Sequence, residues 1–208
     1  MSSTAQVLPP RTNLNTQPFN QRRGMEAMWA VIATEFMLFA CMFAAYYYLG
    51  SNKDRWANET PPVITYAVVL LVILLCSSFI LFWGERQVKA ERFLAGRLAL
   101  WVTVLFGLGF LTLQGFEYAS HWRMLTPYSD SYGSIFYAIT TLHAAHVIVG
   151  LLLLMYVGIL PRYGATARTP HNSFRTVSLY WHFVDAIWIL IVALLYIVPH
   201  FQAHFHGH

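Results

Sequence analysis

Five stretches of this chain are almost free of charged residues, and each is long enough to cross a lipid bilayer as a helix. They cover residues 25–49, 62–83, 98–118, 133–160 and 174–198. A transmembrane helix needs about 20 predominantly apolar residues. Inside lipid every backbone amide must be paired within the protein, so helices are the only plausible state for such runs. The sequence therefore predicts an all-α, polytopic membrane protein built as a bundle of five transmembrane helices.

The composition excludes a soluble domain. Of the 208 residues, 57% are hydrophobic and only 11% are charged, whereas soluble domains carry about 25% charged residues. Cys41 and Cys76 both fall within predicted helices, where a thiol behaves as a small apolar group.

The basic residues predict the orientation of the bundle, because Lys and Arg near helix ends are retained on the cytoplasmic side. Ten of the 13 lie on one side of the predicted bundle, and only Lys53, Arg55 and Arg123 lie on the other. The N-terminus is therefore predicted to be cytoplasmic and the C-terminus external. The net charge of +4 is therefore interpreted as a topology signal, and a nucleic-acid-binding function has no support. The ten residues are Arg11, Arg22, Arg23, Arg86, Lys89, Arg92, Arg97, Arg162, Arg168 and Arg175.

The chain is predicted to form one membrane domain with polar ends. Residues 1–24 are rich in Ser, Thr, Asn, Gln and Pro and have no apolar core, so they are expected to form a disordered cytoplasmic arm. Residues 25–198 form the five-helix domain. Residues 199–208 contain four histidines and are expected to form an exposed external tail.

Two carboxyl groups in the predicted helices need an explanation, because ionisable groups at membrane depth are costly. Glu35 lies near the middle of the first helix. It is interpreted as a neutral acid hydrogen-bonded inside the bundle, with a proton-relay carboxylate and a metal ligand as alternatives. Glu117 lies near the C-terminal end of the third helix, where the helix dipole disfavours a negative charge. It therefore needs a cation or a hydroxyl from another helix.

Two further polar pairs occur in the last two helices. His143 and His146 are three residues apart and share a helix face, as do His182 and Asp185. Hydrogen bonds between helices are the favoured interpretation of these four residues, because polar side chains often link transmembrane helices in this way. A metal site, or haem ligation by histidines from two helices, is the alternative.

Five segments together resemble subunit III of the haem–copper oxidases, most closely the cytochrome c oxidase branch, and the resemblance covers about residues 25–198. Two of them, residues 142–150 (LHAAHVIVG) and 180–185 (YWHFVD), are long and unusual. The others are residues 33–36 (ATEF), 113–118 (LQGFEY) and 132–136 (YGSIF).

The resemblance implies an accessory subunit of a terminal oxidase, with no catalytic residue and no haem or copper of its own. Subunit III packs on catalytic subunit I, which it stabilises through turnover, and it supports proton uptake and binds phospholipids. Haem and copper are then expected in partner subunits. Subunit II and a small subunit IV belong to the same complex, which in some cases joins a quinol-oxidising complex.

The family's functional positions transfer to matching residues of this sequence. Glu35 matches the buried carboxylate of the family, and His143, His146, His182 and Asp185 match its interhelix polar set. Arg162 and His171 are the nearest matches to its lipid-phosphate contacts. The mitochondrial form has seven helices, whereas the five-helix form is bacterial, which implies the bacterial cytoplasmic membrane.

Alternative functions remain open at this point. Within the same class they are subunit III of a quinol oxidase and a homologue associated with nitric-oxide reductase. A different class is a stand-alone membrane metalloenzyme with a metal at His143, His146, His182 and Asp185. A transporter is disfavoured because no internal repeat is apparent.

Overall fold

The computed structural model describes residues 17–51, 64–121, 131–159 and 169–198, with side chains for 23–50, 64–119, 133–159 and 173–198. Within these ranges the chain forms five long helices and no strand. Each helix is long and apolar enough to cross a membrane, so the predicted fold class is confirmed. The helices are α1 (Gln17–Ser51), α2 (Ile64–Lys89), α3 (Phe93–His121), α4 (Ser131–Ile159) and α5 (Thr169–Ile191), which continues as a π-helical turn (Val192–Ile197).

The helices extend beyond the predicted apolar spans. Helix α1 begins at Gln17, inside the predicted polar arm, so residues 17–24 are helical and this part of the prediction needs correction. Helices α2 and α3 leave only residues 90–92 between them. The apolar pattern marks the part of a helix that lies in lipid, and polar residues continue the helix outside it. Lys89 and Glu85, for example, form an i,i+4 ion pair of 2.8 Å at the end of α2. Residues 1–16 and the tail 199–208 lie outside the described residues.

Helix α5 has the most buried position in the bundle. It packs against α1, α2 and α4, while α2 and α3 form an antiparallel hairpin and α4 also contacts α1 and α3. In the apolar segment of α5, 56% of the residues are buried, compared with 17% in α1. Helix α1 therefore lies at the edge of the bundle, and α5 carries the side chains that connect the other helices.

Trp181 on α5 fits against two glycines from two other helices. A Cβ atom at Gly107 on α3 would lie 2.8 Å from Cη2 of this indole, and a Cβ atom at Gly150 on α4 would lie 2.9 Å from its Cε3. These distances are below van der Waals contact, so only glycine fits beside the ring. Small residues at transmembrane helix contacts allow close approach of this kind.

We expect Gly107→Ala to lower the free energy of unfolding by about 1–3 kcal/mol, the usual cost of overpacking a well-packed core. The added methyl group would lie 2.6 Å from Cδ2 of Leu151 and 2.8 Å from Cη2 of Trp181, and both of these side chains are buried. Gly109→Ala is the matched control, because a Cβ atom there has no neighbour within 4 Å. Unfolding in mixed detergent micelles measures both variants. Equal stability of the two would show that the close packing at Trp181 does not limit the fold.

Helix α2 ends with a Schellman motif in the turn that leads to α3. The N–H of Arg92 donates to the carbonyl oxygen of Gln87 at 2.9 Å, and the N–H of Glu91 donates to that of Val88 at 3.1 Å. Glu91 has a φ of 61°, in the left-handed region where glycine is normally found at this position. An L-residue other than asparagine or aspartate is strained there.

Glu91→Gly is accordingly expected to stabilise the protein, by about 1 kcal/mol, because glycine adopts this conformation without steric cost. Glu91→Ala is the control, since it removes the carboxylate and keeps the strained backbone. If both variants gained the same stability, charge removal and not backbone strain would be the cause.

The π-helical turn at the end of α5 places Tyr196 in the core. The N–H of Val198 donates to the carbonyl oxygen of Ala193, one residue further back than in an α-helix. Tyr196 is 2% exposed and its ring lies 5.6 Å from that of Phe136 on α4. The wider turn thus directs the hydroxyl group of Tyr196 towards the ends of α3 and α4.

Candidate functional site in the polar interior

Glu35 and His146 form an ion pair or hydrogen bond between α1 and α4. The His146 Nε2 and Glu35 Oε2 atoms are 2.9 Å apart. The Nδ1 atom of the same imidazole lies 2.7 Å from the carbonyl oxygen of Leu142. A carbonyl oxygen only accepts, so Nδ1 must carry a proton and donate it. Nε2 and Oε2 therefore share a single proton, whichever of them carries it, and the pair as a whole is neutral. Such a pair can hold a proton at membrane depth and exchange it.

This pair lies at the edge of the bundle, beside a cleft of about 250 Å³. The Glu35 side chain is 31% exposed and that of His146 is 12% exposed. The ring of Phe39 covers His146 on one side, with centroids 5.1 Å apart. Peripheral α1 shields the carboxyl group on one side only, so Glu35 is hydrogen-bonded between two helices and also borders the cleft. That Glu35 is a neutral acid stays a prediction. The other residues lining the cleft are Met28, Val31, Ala145, Val149, Leu153 and Tyr180.

His182 links α5 to α2. Its Nδ1 atom forms a short hydrogen bond with the hydroxyl of Ser78 on α2. Its Nε2 atom lies 3.2 Å from the hydroxyl of Ser178, one turn earlier on α5. Both ring nitrogens thus have partners, and one of them is on another helix.

A second link between the same helices lies one residue away. The indole N–H of Trp181 donates to Ser77 Oγ at 3.0 Å, and this hydroxyl donates to the carbonyl oxygen of Leu74 at 2.7 Å. Trp181 is 0% exposed, as is Ser77. The two serines of α2 therefore hold the central part of α5 through neighbouring side chains.

His143 and Asp185 do not form interhelix hydrogen bonds of regular geometry. Among the described residues, neither ring nitrogen of His143 has a hydrogen-bond partner, whereas the Asp185 carboxyl group lies beside the Ser78 hydroxyl of α2 without reaching regular hydrogen-bond geometry. His143 instead stacks on Trp188 with a centroid distance of 4.8 Å and contacts the edge of Phe110 at 5.8 Å. The physical reason is the angle between positions three apart on a helix, about 60°. His146 faces α1, whereas His143 faces the aromatic side chains of α3 and α5.

Glu117 has the hydroxyl partner that its position requires. Tyr196 donates its hydroxyl to Glu117 Oε1 at 3.3 Å. Nearby, Tyr118 donates to Thr140 Oγ1 at 2.7 Å, which in turn donates to the carbonyl oxygen of Phe136 at 2.9 Å. These contacts join α3, α4 and the π-helical turn near one end of the bundle.

The structure does not group the predicted histidines and acids into one centre. Within the described part of the chain, no three His, Cys, Asp or Glu side chains lie close enough to hold a metal ion. The candidate lipid contacts cannot be placed: Arg162 lies outside the described residues, and so does the side chain of His171.

Sequence reasoning missed the partners of the predicted residues. Ser77, Ser78 and Tyr196 hold α5 against α2 and α3, and they were not among the predicted site residues. The adjacent serines were a usable signal, since two hydroxyls in the middle of an apolar helix need acceptors. Tyr196 had no such signal, because its orientation depends on the π-helical turn.

The fold and these contacts define an integral membrane helix bundle whose interior is joined by polar side chains. The family model described as cytochrome c oxidase subunit III matches residues 15–200. The chain is 31% identical over 174 residues to cytochrome c oxidase subunit 3 of Thermostichus vulcanus, covering 82% of this chain and 85% of that protein. It is 32% identical over 208 residues to a probable cytochrome c oxidase subunit 3 of Mycobacterium leprae, covering 95% and 100%.

This chain belongs to the cytochrome c oxidase subunit III family. The resemblance predicted from the sequence motifs is thereby confirmed. Membership implies a complex with the catalytic subunits of the oxidase and a place in aerobic respiration.

Proposed function

We propose that the chain is an accessory subunit that stabilises catalytic subunit I of a cytochrome c oxidase and has no catalytic site of its own. The family match over residues 15–200 carries this proposal. The interhelix contacts support it, because Glu35 is hydrogen-bonded to His146 and His182 is hydrogen-bonded to Ser78, in each case on another helix. In this account these polar groups hold the scaffold together and bind no prosthetic group.

The second part of the proposal is that Glu35 and His146 support proton uptake by the complex. The pair shares one proton, and it lies beside a cleft at the edge of the bundle. The pair is neutral as a unit while it holds this proton. Loss of the proton leaves one negative charge, which falls beside the cleft at a carboxyl group whose side chain is 31% exposed. Glu117 is the other candidate for a proton-linked group, and its partner is a tyrosine hydroxyl.

The proposed location is the bacterial cytoplasmic membrane, with the N-terminus inside and the C-terminus outside. Support comes from the basic residues at the ends of α2 and α3, Arg86, Lys89, Arg92 and Arg97, and from Arg175 at the start of α5. The antiparallel packing of α2 against α3 puts these ends on the same side, and basic ends face the cytoplasm.

The proposed partners follow from the same role. They are subunit I in direct contact, subunit II and a small subunit IV in the complex, with haem and copper in those partners. A supercomplex with a quinol-oxidising complex is a further proposal. Phospholipids are proposed to bind at the end of the bundle that carries the basic residues, with Arg162 and His171 as phosphate ligands. Arg162 lies in the connection between α4 and α5, and His171 lies in the first turn of α5.

Purification of the tagged chain in mild detergent tests the accessory role. We expect it to co-purify with haem- and copper-containing subunits, which mass spectrometry identifies. After the subunits are separated under conditions that keep haem bound, metal analysis should find iron and copper in the partners. Iron, copper or haem in a one-to-one ratio with this chain would contradict the proposal.

A further inference from the structure

Two fully enclosed aromatic rings that carry polar atoms lie where α3, α4 and α5 meet. His143 and Trp188 are both 0% exposed, and their rings are stacked at 4.8 Å. The ring of Phe110 meets both of them edge-on, at 5.8 Å and 5.0 Å. Within the described part of the chain, the two imidazole nitrogens and the indole N–H have no hydrogen-bond partner.

A third polar side chain lies at the same level of the bundle. Gln114 follows Phe110 by one turn of α3 and is 2% exposed. One turn further, Tyr118 bonds to Thr140, which is one turn from His143 on α4. Gln114 is therefore bracketed by contacts to the same stretch of α4. Among the described residues its amide lies beside the hydroxyl of Tyr118, without reaching regular hydrogen-bond geometry.

The chemistry of these groups specifies their ligand. Trp188 supplies one donor, a neutral imidazole supplies one donor and one acceptor, and the Gln114 amide supplies two donors and an acceptor. A ligand must therefore both accept and donate, which excludes a simple anion and a simple cation. It must also be small, because aromatic rings enclose the site, and a partner subunit cannot reach residues with no exposed surface. Water meets all of these conditions, and buried waters typically make about three hydrogen bonds to such groups.

We propose that Gln114, His143 and Trp188 form a binding site for internal water between α3, α4 and α5. This site is separate from the Glu35–His146 pair, which faces α1, and it goes beyond the accessory role proposed above. It explains how a scaffold of this family accommodates an unpaired imidazole at its centre.

The chain contains a matched internal control for this proposal. Trp181 lies two turns before Trp188 on the same helix and is equally enclosed, at 0% exposure. Its indole N–H donates to Ser77, so it needs no water. A method that detects bound water should therefore distinguish two tryptophans that have the same exposure.

Hydroxyl-radical labelling by millisecond X-ray pulses provides that method. Radicals formed from a bound water oxidise the side chains that touch it, and mass spectrometry of the intact purified complex in H₂¹⁸O locates the label. We expect ¹⁸O to enter Trp188 several-fold faster than Trp181, with little effect of a bulk radical scavenger. Equal protection of the two tryptophans would overturn the proposal. So would labelling of Trp188 that the scavenger abolishes, because the radicals would then come from outside.

Gln114→Leu tests the composition of the site. Leucine has a similar size and offers no hydrogen bond, so the water loses a partner and labelling of Trp188 should fall towards the level of Trp181. Thr112→Val is the control, because Thr112 is exposed and its hydroxyl donates to the carbonyl oxygen of Gly109 on its own helix. Unchanged labelling in Gln114→Leu would contradict the assignment of this residue to the site. If that variant does not assemble, the comparison of the two tryptophans in the wild-type complex still decides the proposal.

Discussion

Replacing Trp181 with alanine is expected to lower the free energy of unfolding by about 3 kcal/mol, the lower end of the range for truncating a buried tryptophan. The indole is 0% exposed, donates to Ser77 on α2 and fits against Gly107 on α3 and Gly150 on α4. Its loss leaves a cavity at the contact of four helices. We expect a value at the lower end of that range because lipid is as apolar as the protein core, so truncation loses no hydrophobic transfer energy. The loss comes from packing and hydrogen bonds between helices.

Unfolding in mixed detergent micelles measures this effect, with Trp83→Ala as the control. Trp83 is 47% exposed, so its truncation should change stability by less than about 0.5 kcal/mol, as is usual at surfaces. Similar losses in the two variants would mean that Trp181 does not organise the bundle.

The second large effect is expected at the Glu35–His146 pair. Glu35→Leu leaves the Nε2 atom of His146 without its partner in a region of low polarity. Removing one partner of a polar pair that is shielded from water costs about 1–3 kcal/mol. Helix α1 is the least buried helix and this pair is its polar contact with α4, so α1 should separate more readily from the bundle. Protease sensitivity or cross-linking between α1 and α4 measures that separation.

Two control variants separate loss of the pair from loss of charge. Glu35→Gln should retain near wild-type stability, because the glutamine amide can donate to Nε2 while Nδ1 continues to donate to Leu142. The double variant Glu35→Leu/His146→Leu should be more stable than Glu35→Leu, because neither position then has an unpaired polar group. If Glu35→Gln lost as much stability as Glu35→Leu, the account of a single shared proton would be wrong.

The sequence was sufficient for the fold because lipid restricts the alternatives. Each apolar run had to be a helix, and five runs gave five helices. The predicted ends of the helices were less accurate than their number. The prediction followed hydropathy, whereas helix ends depend on polar contacts such as Lys89–Glu85 and on the backbone conformation of Glu91.

The candidate site was predictable only residue by residue. Burying a glutamate or histidine in an apolar transmembrane helix costs free energy, so such a residue is expected to have a specific role. Glu35, His146 and His182 were predicted as site residues for this reason. Their partners depend on which helices are neighbours and on the rotation of each helix, and neither is encoded in the local pattern. His143 and His146 illustrate this, since they are three residues apart and face different helices.

The most direct test of the proposed accessory role compares the oxidase with and without this chain. Haem and copper content, the initial rate of oxygen consumption and the number of turnovers before inactivation are measured on both forms. We predict unchanged haem and copper, an initial rate close to that of the complete complex, and earlier inactivation when the chain is missing. Loss of a haem or copper centre together with an initial rate near zero would contradict the account.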